Sequence, residues 1–288
     1  MSLSPSPVDS VRADLGEHPV QLADGTLLWV DIGVGDLYRL APDGTHLAQR
    51  IDEGLGCAAP TKDGGLVVAT SRGFQLFDGA GNRVGGPIVP ADLPNECFFN
   101  DGACDPAGRF LAGTSTTERT TGAATLYALE PDGAIRVVLD GVTESNGIAW
   151  SVDGATMFYV DSGTQDLLAF DYDVRAGTVG SSRIVATIDS ADGVPDGLAV
   201  DVEGNLWLGL WDGWGMRRYT PTGALLESVR FPVQHVTCGG FGGPGLGRLY
   251  VTTASSYLSD EELAAQPLAG ALFQLDVTVP GHPVWAFG

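Results

Sequence analysis

The chain has 288 residues, of which 44% are hydrophobic, and a formal net charge of −21. This length and composition are enough to bury a sizeable core, and closed all-β folds of this size are commonly one domain. Because Lys62 is the single lysine in an acidic chain, the surface repels phosphate backbones and anionic lipids. We therefore do not expect nucleic acid or membranes to be partners. Solubility or adaptation to salt would produce the same acidity.

The N-terminal residues 1–12 are predicted to be a polar lead-in to a single domain, residues 13–288, with Val8 to Arg12 as a candidate outer strand. The chain does not begin with a basic segment followed by an apolar run, and no apolar run reaches the length of a membrane span. We therefore expect a cytoplasmic protein that is a monomer or a weak homo-oligomer. The cysteines form no CxxC pair, which favours buried reduced thiols over a zinc site; they are Cys57, Cys97, Cys104 and Cys238.

A turn glycine followed by a mostly apolar, strand-like run recurs along the chain. The intervals of 39, 44, 46, 50 and 43 residues lie in the range of propeller blades, and Asp-Gly hairpins indicate the same fold. We predict an all-β, six-bladed β-propeller with one helix, near Ser259 to Ala265, where Ser259 and Glu262 form a capping-box pattern. The turn glycines are Gly25, Gly64, Gly108, Gly154, Gly204 and Gly247.

The residues eight positions before these glycines open the predicted inner strands of the blades. Four carry short oxygen-bearing side chains and two carry none; in chain order they are Glu17, Gly56, Asn100, Asn146, Asp196 and Gly239. Equivalent inner-strand positions face one another across the axis of a propeller. Carboxylates held close together away from water need a neutralising cation, and oxygen donors suit Ca²⁺, Mg²⁺ or Mn²⁺. The pattern therefore predicts a central divalent-metal site, with hydrogen-bonded channel waters as the alternative.

The loops that follow the second strands return to the same face and are predicted to form the rim of a pocket. They carry aromatic residues, including Trp211 and Tyr257, and charged residues, including Arg72 and Glu118. Aromatic walls with a few placed polar groups suit a small organic ligand. His235 has no counterpart in the other repeats, and we expect it to be structural.

Several segments resemble the SMP-30/gluconolactonase/regucalcin-like family, and the resemblance runs from about residue 13 to 288. It is carried, in order, by Leu15–Pro19, Phe99–Gly102, Ser145–Trp150, Pro195–Leu198 and Phe241–Pro244. The resemblance implies a six-bladed propeller that holds one divalent metal, and many members of the family hydrolyse sugar lactones. We expect Ca²⁺ first, with Mg²⁺, Mn²⁺, Zn²⁺ and Fe²⁺ as alternatives.

The resemblance also implies roles for single residues. Glu17, Asn146 and Asp196 would be the metal ligands, and Asp196 would also be the general base. Asn100 would be a fourth ligand or a substrate contact. The remaining two assignments are Asp101, which would support the ligands without binding the metal, and Glu118, which would contact sugar hydroxyls.

One position departs from the family pattern. Sugar lactonases of the family often have a substrate-binding arginine two residues before the Asn-Asp-Gly motif, and this chain has Phe98 there. A ring in place of a guanidinium indicates a substrate less polar than an aldonolactone. Arg72, on the blade-two loop, would compensate from another direction if it reached the pocket.

The predicted function is the metal-assisted hydrolysis of a small lactone. In this mechanism the metal polarises the ester carbonyl, and a water activated by Asp196 or by the metal attacks it. Two alternatives remain at this point. The same site would suit a phosphotriester or another activated ester, and a purely structural metal would make the protein a calcium-binding or ligand-binding propeller without activity.

Overall fold

The predicted turn glycines allow the sharp hairpins that begin each blade. Five of the six adopt a left-handed backbone, with φ between 75° and 87°, and Gly247 is the exception at −81°. A residue with a side chain rarely adopts a positive φ. The computed structural model describes residues 3–51 and 54–288, and it forms six four-stranded antiparallel sheets. The sheets are the six blades of a β-propeller, which confirms the predicted fold.

The first three blades follow the chain in order. Blade one comprises β2 (Gly16–Gln21), β3 (Leu27–Asp31), β4 (Asp36–Leu40) and β5 (His46–Arg50). Blade two comprises β6 (Cys57–Pro60), β7 (Leu66–Thr70), β8 (Gly73–Phe77) and β9 (Arg83–Ile88). Blade three comprises β10 (Cys97–Cys104), β11 (Phe110–Thr116), β12 (Ala124–Leu129) and β13 (Ile135–Val142).

The last three blades include the strand that closes the ring. Blade four comprises β14 (Ser145–Trp150), β15 (Thr156–Asp161), β16 (Asp166–Asp173) and β17 (Thr178–Thr187). Blade five comprises β18 (Val194–Val200), β19 (Leu206–Trp211), β20 (Gly215–Tyr219) and β21 (Leu225–Arg230). Blade six comprises β22 (Val236–Gly242), β23 (Arg248–Thr253), β24 (Phe273–Asp276) and β1 (Ser6–Pro7).

The N-terminal lead-in takes part in the propeller. β1 pairs antiparallel with β24, so the two ends of the chain share blade six. The outer strand is thus Ser6–Pro7, and the prediction of a strand at Val8 to Arg12 was wrong. The reason is local: Val11 N–H bonds to the Asp9 side chain, and such a side-chain turn competes with a sheet ladder.

The core lies between neighbouring blades, as the flat, apolar faces of packed sheets require. Between blades two and three, for example, Phe74 packs 4.8 Å from Phe99 and 5.9 Å from Phe110, measured between ring centroids. The four cysteines are buried and free, as predicted. The single α-helix in the described ranges, α1 (Asp260–Ala265), begins at Ser259 with the predicted capping box. No helix within residues 3–51 and 54–288 has the length and apolar character needed to cross a membrane.

Candidate functional site

A break in strand register marks the position of the site. Five of the six inner strands shift register against the second strand, and the shifts lie between Glu17 and Val20, Phe99 and Gly102, Ser145 and Ile148, Pro195 and Leu198, and Val236 and Gly239. A β-bulge re-aims side chains and bends the strand. All four oxygen-bearing residues predicted from the repeat lie at or within these shifts.

The glycines that follow the site residues allow the inner strands to approach closely. A Cβ atom on Gly147 would lie 2.7 Å from the carbonyl oxygen of Asp196, and one on Gly197 would overlap the Cys238 side chain. Contacts of this kind require glycine. The Asn-Gly and Asp-Gly pairs of the sequence motifs are therefore explained by strand packing around the axis.

The oxygen-bearing residues form the floor of a pocket of about 510 Å³. Five of the six blades contribute to its lining, and blade two contributes none within the described residues. Its lining residues include Asp14, Leu15, Glu17, Ile32, Phe98, Asn100, Thr116, Arg119, Glu144, Asn146, Ser162, Val194, Pro195, Asp196, Trp211 and Tyr257. The predicted metal ligands Glu17, Asn146 and Asp196 thus meet in one cavity with Asn100.

Two carboxylates on this floor are almost entirely removed from solvent. Glu17 is 7% exposed and Asp196 is 6% exposed. Burial raises the pKa of Glu17 well above its ordinary value, and the charges of Asp196 and Asp101 raise it further. Burial likewise raises the pKa of Asp196, and the negative charge of Glu144 raises it further. Both shifts express the cost of an unneutralised charge in a low-dielectric site.

A chain of hydrogen bonds fixes the two amides across three blades. The Asn100 Nδ2 donates to Asn146 Oδ1 at 2.9 Å and to the Ser145 carbonyl at 2.9 Å. The Asn146 Nδ2 donates to Ser162 Oγ at 2.8 Å, and this hydroxyl donates to the Pro195 carbonyl at 2.6 Å. Because both amide nitrogens donate to protein groups, the two amide oxygens remain as acceptors for a ligand or a metal. The Asn146 oxygen already accepts from Asn100 and has one lone pair left for this purpose.

Asp101 lies beside the floor but does not line the pocket. Its Oδ1 is 3.0 Å from His18 Nδ1 and accepts a hydrogen bond from Gly102 N–H. The backbone N–H of His18 donates to Glu17 Oε2 at 3.2 Å. These contacts connect Asp101 to Glu17 through His18, and the supporting role of Asp101 stays a prediction. His18 itself lines a second cavity of about 110 Å³ formed by the later residues of the inner strands and by His282 to Trp285.

One wall of the pocket is aromatic. Trp211 lies 5.9 Å from Tyr257 in an edge-to-face arrangement, and its other neighbour is His235, stacked at 3.9 Å with an interplanar angle of 9°. The His235 Nε2 lies 2.9 Å from Asp212 Oδ1. His235 therefore holds Trp211 in place and does not line the pocket, in keeping with the structural role expected for it. Phe98 also lines the pocket, from blade three.

Two predicted substrate contacts lie outside the lining. The Arg72 guanidinium donates to the carbonyls of Pro94, Asn95 and Cys97, so it holds the segment before Phe98 and does not substitute for a pocket arginine. Glu118 is exposed on its loop. The next residue, Arg119, lines the pocket instead, in a turn that its N–H closes on the Thr116 carbonyl.

Three charged lining residues were not singled out from the sequence, namely Asp14, Arg119 and Glu144. The Arg119 Nε lies 3.0 Å from Glu144 Oε1. Burial raises the pKa of Glu144, and burial together with Asp31 raises that of Asp14. Asp14 and Glu144 lie two residues and one residue before inner strands that start at this face, and that position is the signal that could have identified them.

A divalent cation, which the fold family implies, fits this donor set by its chemistry. The raised pKa values of the buried Glu17 and Asp196 carboxylates indicate that the surrounding protein leaves their charges poorly neutralised, and a cation would supply the missing positive charge. Glu17, Asn146 and Asp196 are oxygen donors of the kind preferred by hard divalent metals. No group of three His, Cys, Asp or Glu side chains suited to a metal occurs within the described ranges; the proposed set consists of two carboxylates and an amide.

Fold and site together define a six-bladed propeller with buried carboxylates and amides at the floor of its central pocket. Residues 15–255 match the profile described as SMP-30/Gluconolactonase/LRE-like region. The chain belongs to this family. It is 35% identical over 282 residues to regucalcin from Danio rerio, covering 96% of this chain and 95% of the relative.

Two further comparisons extend over most of the chain. A protein of Bacillus subtilis (strain 168) named "Putative sugar lactone lactonase YvrE" is 33% identical over 280 residues, covering 94% of each chain. The crystal structure of a calcium-binding protein, regucalcin, from Agrobacterium tumefaciens superposes with a TM-score of 0.93 at 27% identity, covering 100% of this chain and 98% of that one. These matches confirm the family resemblance and the propeller fold.

Proposed function

We propose that the protein is a metal-dependent lactonase that opens a small lactone to the corresponding hydroxy acid. The observation that carries this proposal is the pair of buried carboxylates, Glu17 and Asp196, beside two oriented amides at the floor of a pocket of about 510 Å³. Family membership and the lactonase name of one relative support the reaction class. The partner in this proposal is a small molecule; nucleic acid and membranes are not partners.

Glu17, Asn146 and Asp196 would hold the cation, with Ca²⁺ as the first candidate and Mg²⁺, Mn²⁺, Zn²⁺ and Fe²⁺ as alternatives. When bound, a divalent cation supplies positive charge that neutralises the carboxylates and polarises an ester carbonyl. In the proposed reaction Asp196 accepts a proton from the attacking water as the new carbon–oxygen bond forms. The ring carbon–oxygen bond then breaks, and the alkoxide takes that proton to give the hydroxy acid.

The remaining floor residues position the substrate. Asn100 offers its amide oxygen to the pocket, since its nitrogen is engaged by Asn146 and Ser145. Phe98, Trp211 and Tyr257 bring apolar rings to the lining. We propose a lactone less polar than an aldonolactone, because aromatic surface is favoured by apolar ligand atoms.

The test is a screen of γ- and δ-lactones of graded polarity, with the metal removed by chelation and then restored. Metal-dependent hydrolysis of at least one lactone is expected. Phosphotriesters and aryl esters belong in the same screen, since either could use this site. A protein that binds calcium but hydrolyses no ester would instead match the calcium-binding name of its Agrobacterium tumefaciens structural relative.

A further inference from the structure

The pocket contains one cationic side chain among its described lining residues, Arg119, and it is paired with Glu144. The Glu144 side chain is 14% exposed, whereas that of Arg119 is 55% exposed. The pair joins the loop after β11 of blade three to the start of β14 in blade four. We propose that this pair determines specificity by binding a hydroxyl or carbonyl oxygen of the substrate away from the reacting ester, an inference that rests on the proposed lactonase function.

The Arg119 guanidinium has more N–H donors than its ion pair with Glu144 uses. It carries five N–H groups, and within the described part of the chain its one partner is Glu144, at Nε. The N–H groups of Nη1 and Nη2 are therefore available to a ligand. A substrate oxygen that accepts from these N–H groups would form a charge-assisted hydrogen bond, which is stronger than one between neutral groups.

The backbone on both sides of the pair is built to hold it. Arg119 has a left-handed backbone, with φ of 48°, which is uncommon for a residue with a side chain and often marks a functional position. Its turn is closed by hydrogen bonds from Arg119 N–H and Thr120 N–H to Thr116. On the other side, Asp161 accepts hydrogen bonds from the N–H groups of Thr143 and Glu144, both at 3.0 Å.

The aromatic wall specifies what the rest of the ligand must be. Trp211 and Tyr257 line the pocket from blades five and six, while Arg119 and Glu144 line it from blades three and four. The substrate that fits both walls is amphipathic: a lactone with an oxygen substituent on one edge and an apolar substituent on the other. Because Glu144 neutralises Arg119, a carboxylated or phosphorylated lactone gains no net attraction here.

The experiment compares γ-butyrolactone with β-hydroxy-γ-butyrolactone, which differ by one hydroxyl group. For Arg119→Leu we expect KM for the hydroxylated lactone to rise about tenfold or more, the usual effect of losing one charge-assisted hydrogen bond. We expect kcat and the KM for γ-butyrolactone to stay within about twofold. Arg183→Leu, which changes an exposed arginine on the outer strand of blade four, is the matched control and should leave both substrates unaffected.

A second variant tests the role of the partner. Glu144→Gln keeps the shape of the side chain but removes the charge that neutralises Arg119. It should therefore lower KM several-fold for a γ-butyrolactone that carries a carboxylate, a change that a merely structural ion pair would not produce. Equal losses on both lactones for Arg119→Leu, or a loss confined to kcat, would overturn the proposal.

Binding without turnover separates this proposal from the lactonase assignment. The probes are 3-hydroxytetrahydrofuran and tetrahydrofuran, which have no ester, and binding is followed by ligand-observed NMR. Weaker binding of the hydroxylated ring alone to Arg119→Leu supports the specificity role even if no lactone is hydrolysed. If wild type and variant bind the hydroxylated ring equally, Arg119 does not recognise it, whatever the activity.

Discussion

Asp196→Asn tests the proposed chemistry most directly. The change keeps an oxygen at a position that is 6% exposed, but an amide is no base. General-base assistance contributes about 10²–10⁴-fold, so kcat for lactone hydrolysis should fall by that factor, which corresponds to about 3–5 kcal/mol in the barrier. Some metal binding should survive because two oxygen ligands and the new amide oxygen remain.

Glu17→Gln is the informative comparison, because it removes the other buried charge and leaves the proposed base. Its loss should come mainly through metal affinity and should be partly reversed by excess metal. The assay measures kcat and KM for one hydrolysed lactone across a metal titration, together with the metal content of each variant. Asp192→Asn is the control, because Asp192 lies just before the strand that carries Asp196 but outside the pocket. Equal rescue of both variants by metal would refute the base assignment.

Three further predictions concern the raised carboxyl pKa values, the ring of Phe98 and a buried ion pair. Burial raises the pKa of Glu17 and Asp196, so the folded, metal-free protein binds protons more tightly than the unfolded chain and loses stability as pH rises above the ordinary carboxyl range. A divalent cation should therefore raise the melting temperature more at pH 8 than at pH 5. An equal rise at both pH values would contradict this reasoning. Phe98→Arg should raise kcat/KM for an aldonolactone relative to γ-butyrolactone, and an unchanged ratio would show that the ring does not select the substrate. Asp105→Asn removes one of the two carboxylates that pair with Arg109, at 2.7 Å, and leaves Glu130 as the other, so urea unfolding should show a loss of about 1.5–3 kcal/mol, the usual contribution of a hydrogen bond to a charged group.

The fold was predictable because its signal is repeated. Five of the six turn glycines need a left-handed backbone, and each is followed by a strand-like run, so errors at single positions average out. The floor of the site was predictable for the same reason, since Glu17, Asn100, Asn146 and Asp196 occupy matched positions in their repeats. The pairing of β1 with β24 carried no such signal, because a two-residue strand has no detectable periodicity.

The rim was harder to predict, since its loops differ in length and conformation from blade to blade. Which of two neighbours enters the pocket depends on a single turn: Arg119 does and Glu118 does not. Arg72 lies on the corresponding loop of blade two, but backbone carbonyls of the next blade bind its guanidinium. Sequence spacing identifies such loops, but the direction of one side chain within a loop is decided by hydrogen bonds that the spacing does not specify.

The charge of the pocket also favours release of the proposed product. Among the residues that the structure describes, four acidic side chains and one basic side chain line it, namely Asp14, Glu17, Glu144, Asp196 and Arg119. A bound divalent cation would offset two of the negative charges and leave the lining slightly acidic. A lactone enters this field as a neutral molecule, whereas the hydroxy acid leaves as an anion at neutral pH. Like charges repel strongly in a partly desolvated cavity, so hydrolysis itself converts a tolerated ligand into one that the pocket releases.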